Sequence, residues 1–345
     1  MRALVLHGPG DLRLEDRPDP VPGPGEVVIA VEAALTCATD AKMLARGGHP
    51  ALPPLPAPFG HEASGTVAAT GAGVDGVREG DAVVVANSAP CGACEPCLRA
   101  RPGLCEELVY LSGAYAELLL VPARIVAANL LPRPAGMPAH IAALTEPVAC
   151  GVRAAERSAA REGDHVVVLG GGPQGQAITA ALAARGCEVV VCDPHPARRD
   201  LARRMGAADA LPAPRDAGAE AAVLGRTPRG RGAHAVFAAV ADVGAWQQAI
   251  RLAGPGGEVN LHGGPGAEAV LATPAAPLHY RELTLQASYH HTPDAIRSAL
   301  RLLADGALPF GELLGEGRIR LEEVEAALRA GGPKRIVDPR AGAGS

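Results

Sequence analysis

Aromatic side chains are almost missing from this 345-residue chain, which has three Phe, four Tyr and one Trp. Single-stranded nucleic acids are held by stacking bases on aromatic rings, so such a surface is not expected. Lysine is scarcer still: of the 32 Lys and Arg residues only Lys42 and Lys334 are lysine. The arginines are spread out and the net charge is -5, so the basic stripe of a nucleic-acid binder is absent as well. No apolar run approaches the roughly 18 residues of a membrane span. The first residues, Met1 to Gly8, hold too short an apolar stretch for a signal peptide. These absences lead us to expect a cytoplasmic protein whose partner is a small molecule rather than nucleic acid or membrane.

What the chain does have is 48 % hydrophobic residues, 43 Gly and 32 Pro. Its length suits two domains. The first part predicts strands at Val27–Val31, Gly65–Ala68 and Asp81–Val85, separated by Gly-rich turns and preceded by a Pro/Gly loop over Pro18–Gly25. That pattern predicts a mostly antiparallel, barrel-like domain. It changes near residue 140. Helical segments at Ala139–Ala160, Gln174–Ala184, Arg198–Met205 and Trp246–Leu252 alternate with apolar runs at His165–Leu169, Glu188–Cys192, Ala235–Ala238, Glu258–Leu261 and Leu283–Ser288. Continuous apolar runs of this kind suit strands covered on both faces, and the alternation predicts a doubly wound α/β domain. Further helices are expected at Asp294–Ala304 and Glu322–Ala330.

The turn Gly170-Gly171-Gly172-Pro173-Gln174-Gly175 joins the first of these strands to the next helix. Glycines let such a turn close on a pyrophosphate, and the helix start offers unpaired N–H groups. Asp193 ends the following strand, where a carboxylate accepts from ribose hydroxyls and repels a 2′-phosphate. NAD is therefore favoured over NADP. Arg198 and Arg199 lie just beyond and are able to bind a phosphate. Cys91-x2-Cys94-x2-Cys97-x7-Cys105 offers four thiolates that close a tetrahedron on zinc, with an iron–sulfur cluster as the rival reading. With all four positions filled, the site is structural. A dispersed set, Cys37, His61, Glu62 and Glu146, contains ligand types that hold a catalytic zinc.

Cys37-x-Thr39-Asp40, Gly60-His61-Glu62, the cysteine loop, Glu146-Pro147 and the glycine turn, in that order, resemble the zinc-containing medium-chain dehydrogenase/reductase superfamily, in its alcohol, polyol and threonine dehydrogenase branch. The resemblance implies a GroES-like β-barrel catalytic domain over 1–148 and 285–345, with a Rossmann domain over 149–284 inserted in it. It implies two zinc ions, catalytic and structural, and a homodimer or homotetramer. Cys37 and His61 are implied as catalytic-zinc ligands, with either Glu62 or Glu146 completing the shell. Asp40 is implied to orient His61, and Thr39 to take the alcohol proton. Lys42 stands where many relatives have a proton-relaying histidine. The implied activity is NAD(H)-dependent interconversion of a secondary alcohol, of the polyol, sugar-alcohol or cyclitol kind, and its ketone. Simple secondary-alcohol or threonine-like dehydrogenation is the alternative, and a non-catalytic zinc and dinucleotide sensor a remote one. Substrate contacts are expected from Met43–Pro58, with His49, and from Tyr289, His290 and His291.

Overall fold

Strands form here where apolar runs are bounded by Gly and Pro, and the longest of them organises the first half of the molecule. The computed structural model describes residues 1–48 and 54–342, so His49 lies outside the described residues. The strand Val27–Leu35 is almost wholly apolar and almost wholly buried. It pairs antiparallel with Ala63–Thr70, Leu118–Val121 and Lys334–Val337. Strands Ala82–Val85 and Leu130–Pro132 extend the sheet on one side and Leu314–Ile319 on the other. A hairpin, Arg2–Gly8 with Asp11–Asp16, joins Ala57–Pro58 in a smaller sheet. The core is aliphatic around Phe59 and Tyr115, and it belongs to a compact unit of Met1–Glu146, Thr292–Asp305 and Phe310–Ser345. Polarity hid one strand of this hairpin from hydropathy: Asp11–Asp16 buries one residue, Leu12, whereas Arg2–Gly8 buries the apolar run Ala3 to Leu6.

The second unit comprises Pro147–His291 and Gly306–Pro309. Its six strands are β1 (His165–Leu169), β2 (Glu188–Cys192), β3 (Asp209–Leu211), β4 (Ala233–Ala238), β5 (Ala253–Leu261) and β6 (Thr284–Ala287). All pair in parallel, in the order β3-β2-β1-β4-β5-β6. This is the Rossmann order, with its reversal between β1 and β4. The apolar runs expected over His165–Leu169 and Glu188–Cys192 are strands with those bounds. Other bounds differ: the run expected over Ala235–Ala238 begins at Ala233, Leu283–Ser288 shortens to Thr284–Ala287, and Ala139–Ala160 is two helices, Ala139–Ala142 and Thr145–Glu156. The strand expected to begin at Glu258 begins at Ala253 and takes in Gly254-Pro255-Gly256-Gly257. Gly232 and Gly254 lie backbone against backbone, so a Cβ on Gly232 would meet the Gly254 nitrogen at 2.5 Å. Two adjacent strands thus use glycine for close approach.

Candidate metal and nucleotide sites

In the first unit the candidate metal ligands stand at the ends of strands. Cys37 follows the strand Val27–Leu35 and caps the helix Ala38–Arg46, its sulfur accepting from the Thr39 N–H at 3.5 Å. His61 and Glu62 precede the strand Ala63–Thr70. Gly60 just before them has φ +91, and a Cβ there would meet the Tyr115 ring at 2.7 Å. This tight passage delivers His61 and Glu62 beside Cys37. The ligand atoms of Cys37, His61 and Glu62 lie within 4.8 Å of one another.

The surroundings orient this trio. Asp40 is fully buried, and its Oδ1 is 2.7 Å from His61 Nδ1, which leaves Nε2 for a ligand role. The Tyr115 hydroxyl donates to the other Asp40 oxygen, with the Leu35 carbonyl also 3.0 Å from it. Burial opposes the charged form of His61, but Asp40 and Cys37 outweigh it and raise the pKa well above its ordinary value. A metal ion would take the place of that proton. Lys334 donates to both Glu62 oxygens at 2.6 Å and to the Thr36 carbonyl at 3.2 Å. Glu146 starts the helix Thr145–Glu156, is 6 % exposed and is not in the trio. Burial, with Glu62 and Asp40 adding to it and His61 and Lys334 opposing, lifts its carboxyl to about 7. Thr39 and Lys42 are exposed one turn apart on the helix Ala38–Arg46. The donor set of a thiol, an imidazole and a carboxylate with an oriented histidine fits zinc.

The four loop cysteines also converge, their sulfurs lying within 4.8 Å of one another. Cys94 and Cys105 are 3.8 Å apart, far too long for a disulfide. Four thiolates about 2.3 Å from a central zinc give edges of about 3.8 Å, so the spacing fits a closed tetrahedral site. Backbone N–H groups of Ala93 and Cys94 point at the Cys91 sulfur and pull its pKa down to about 6.

In the second unit the glycine turn lies at the C-terminal edge of β1. Gly170 has φ +101, and a Cβ on Gly175 would sit 1.8 Å from the Gly170 oxygen, so both positions need glycine. Pro173 opens the helix Pro173–Ala183, capped by Gly172, and Gln174 follows it. Asp193 accepts from the N–H groups of Gly171 and His195, each at 2.8 Å. A cavity of about 460 Å³ is lined by Gly170, Asp193, Arg198, Arg215 and Asp242, among others. Arg198 stands 3.6 Å from the Asp193 carboxylate. Arg199 is bonded to the Asp193 and Pro194 carbonyls, which takes up one end of its guanidinium. Of the residues after β6, Tyr289 is 57 % exposed, His290 has φ +61 and His291 is buried.

Lys334, Tyr115 and His262 were not singled out as site residues from the sequence. Lys334 carried a signal, being one of two lysines in an arginine-rich chain. Tyr115 carried none, because it reads as an ordinary core aromatic.

One unit with a Rossmann sheet and a glycine turn, and another, of β type, with two convergent metal-ligand sets, define a zinc-type dehydrogenase. Comparison with known proteins agrees. Residues 23–133 match the alcohol dehydrogenase GroES-like domain and residues 173–305 the zinc-binding dehydrogenase domain. The chain is 31 % identical to L-galactonate-5-dehydrogenase of Escherichia coli (strain K12) over 319 residues, 91 % of this chain and 90 % of that one. It is 33 % identical to sorbitol dehydrogenase of Bacillus subtilis (strain 168) over 215 residues, 60 % of each chain. A crystal structure of a Sinorhizobium meliloti 1021 protein described as a zinc-binding dehydrogenase, bound to NADP, superposes with a TM-score of 0.89. It is 27 % identical and covers 98 % of this chain and 99 % of that one. The chain belongs to the zinc-containing medium-chain dehydrogenase/reductase superfamily and is an oxidoreductase of the alcohol dehydrogenase type.

Proposed function

We propose that this chain oxidises a secondary alcohol of a polyhydroxylated substrate to the ketone, and the reverse, with NAD(H) as redox partner and with one catalytic and one structural zinc. The convergence of Cys37, His61 and Glu62 around one point carries the reading. When bound, zinc would supply Lewis acidity toward the substrate oxygen and a nicotinamide would supply the hydride acceptor. Cys37 and His61 hold the metal, and Asp40 fixes the His61 ring so that Nε2 is the ligating nitrogen. Glu62 supplies the third donor, with its charge balanced by Lys334. Glu146 is a buried carboxyl close to neutral pH in its titration and serves as a reserve proton or metal acceptor. Thr39 relays the substrate's hydroxyl proton, giving up its own to water as it does so, and Lys42 is exposed one turn further along the same helix. Cys91, Cys94, Cys97 and Cys105 fill all four positions of the structural ion.

The polyhydroxylated substrate class is supported by relatives named for L-galactonate and sorbitol. Asp193 at the end of β2 supports NAD over NADP, while Arg198 beside it and the relative bound to NADP weigh the other way. A panel of sugar alcohols, cyclitols, sugar acids and simple secondary alcohols, each offered with NAD and with NADP, tests both points. NAD-linked oxidation of a polyhydroxylated member is expected. Turnover confined to simple secondary alcohols would overturn the substrate class, and turnover with NADP alone would overturn the cofactor.

A further inference from the structure

His262 follows the last residue of β5, at the C-terminal edge of the parallel sheet. Its backbone N–H and that of Gly263 both donate to the Ala238 carbonyl at the end of β4. Its side chain closes a short polar chain. Gln174 Nε2 donates to the Pro147 carbonyl at 3.0 Å. A carbonyl only accepts, so the amide must turn its NH2 that way and present Oε1 to His262. Oε1 also only accepts, so His262 Nε2, 3.0 Å away, carries the ring proton. Nδ1 is then a bare acceptor. It is buried and has no hydrogen-bond partner. Buried polar atoms are rarely left so, and the exceptions call for a missing partner. Protonation does not supply one, because burial pushes the imidazole down to about 4.

The sheet order says which partner reaches this place. A dinucleotide crosses a Rossmann sheet at the reversal in strand order, here between β1 and β4, with its pyrophosphate at the glycine turn. Asp193, at the end of β2, marks the adenosine side. The other half therefore lies over the ends of β4 and β5, where His262 stands. That half, a nicotinamide riboside, carries ribose hydroxyls and a carboxamide N–H as donors. The residue as a whole is partly rather than fully buried, so it borders the surface at this edge of the sheet.

We infer that His262 Nδ1 accepts a hydrogen bond from the nicotinamide riboside half of the bound cofactor, with Gln174 holding the ring in the accepting tautomer. The inference rests on the dinucleotide reading of the glycine turn proposed above. His262 is thereby a cofactor-binding residue, and Gln174 a positioning residue that acts through it.

The test is direct binding to the full-length protein, with NADH and ADP as probes. ADP lacks the nicotinamide riboside and reports the adenosine half alone. His262→Leu removes the acceptor, whereas His262→Asn can place an amide oxygen near the Nδ1 position. We expect His262→Leu to raise the Kd for NADH by about threefold to tenfold, the range of one lost hydrogen bond. ADP should bind the variant as it binds the parent, and His262→Asn should recover part of the NADH affinity. Unchanged NADH affinity in His262→Leu overturns the inference. So does an equal weakening of ADP, which would mark a disturbed domain rather than a lost contact. If ADP fails to bind the parent protein, the dinucleotide reading itself falls and takes this inference with it.

Discussion

Lys334 shows how much a single side chain can carry. Its side chain is 8 % exposed, and its ammonium donates to both oxygens of fully buried Glu62 and to the Thr36 carbonyl. Burial pulls its pKa down, but Cys37, Glu62 and Glu146 outweigh that and raise it above the ordinary lysine value. A compact point charge with three donors fits this pocket, and arginine, with its planar fork, is not an equivalent. Removing one partner of a buried pair leaves the other charge buried without compensation, at a cost of about 3–5 kcal/mol. Lys334→Met should therefore lower the urea midpoint of the protein, and adding Glu62→Gln to it should restore part of the loss. An unchanged midpoint in Lys334→Met would show that the pair does not hold this region. The sequence could not reveal the pair, because its members are 272 residues apart. Tyr115 and Asp40, 75 apart, were hidden for the same reason. The convergence of Cys37, His61 and Glu62 was expected from the order of short motifs that the chain shares with the zinc-containing superfamily, not from their residue types alone.

At the scale of elements, legibility followed hydrophobicity. β1 and β2 are covered on both faces, so their continuous apolar runs marked them. The strands Asp11–Asp16 and Lys334–Val337 carry charge and were not marked. The cysteine loop is the reverse case, clear in spacing and poor in packing. It is built from two short helices, Glu95–Leu98 and Pro102–Leu104, with Ala100 at φ +57 between them. Leu98 is 75 % exposed and Leu104 53 % exposed, so burial does little to hold the loop together. Under the structural-zinc proposal, ligation does what packing does elsewhere, since metal binding free energy at such a site is folding free energy. Cys97→Ser should then lower the zinc content by about one ion per chain and make the loop sensitive to limited proteolysis. Elemental analysis together with the position of the first proteolytic cut checks this. Full zinc content with an intact loop would show that the four sulfurs do not share an ion.

At the scale of the whole molecule, the chain leaves one unit at Glu146 and returns to it at Thr292. Each unit has its own apolar core, one around Phe59 and Tyr115 and the other on the two faces of the parallel sheet. The candidate catalytic-metal set is drawn entirely from the first: Cys37, His61, Glu62 and Glu146. The glycine turn, Asp193, Gln174 and His262 are drawn entirely from the second. Two chemistries built on separate cores should be separable by mutation. Cys37 is only partly buried and its thiol caps a helix, so Cys37→Ser replaces a soft ligand while a hydroxyl keeps the cap. We expect this variant to lose alcohol oxidation and to bind NADH with the affinity of the parent protein. It should also keep the zinc of the cysteine loop. Turnover at the parent rate would remove Cys37 from the chemistry. A loss of NADH binding alongside turnover would show instead that the two sets of residues do not work as independent parts.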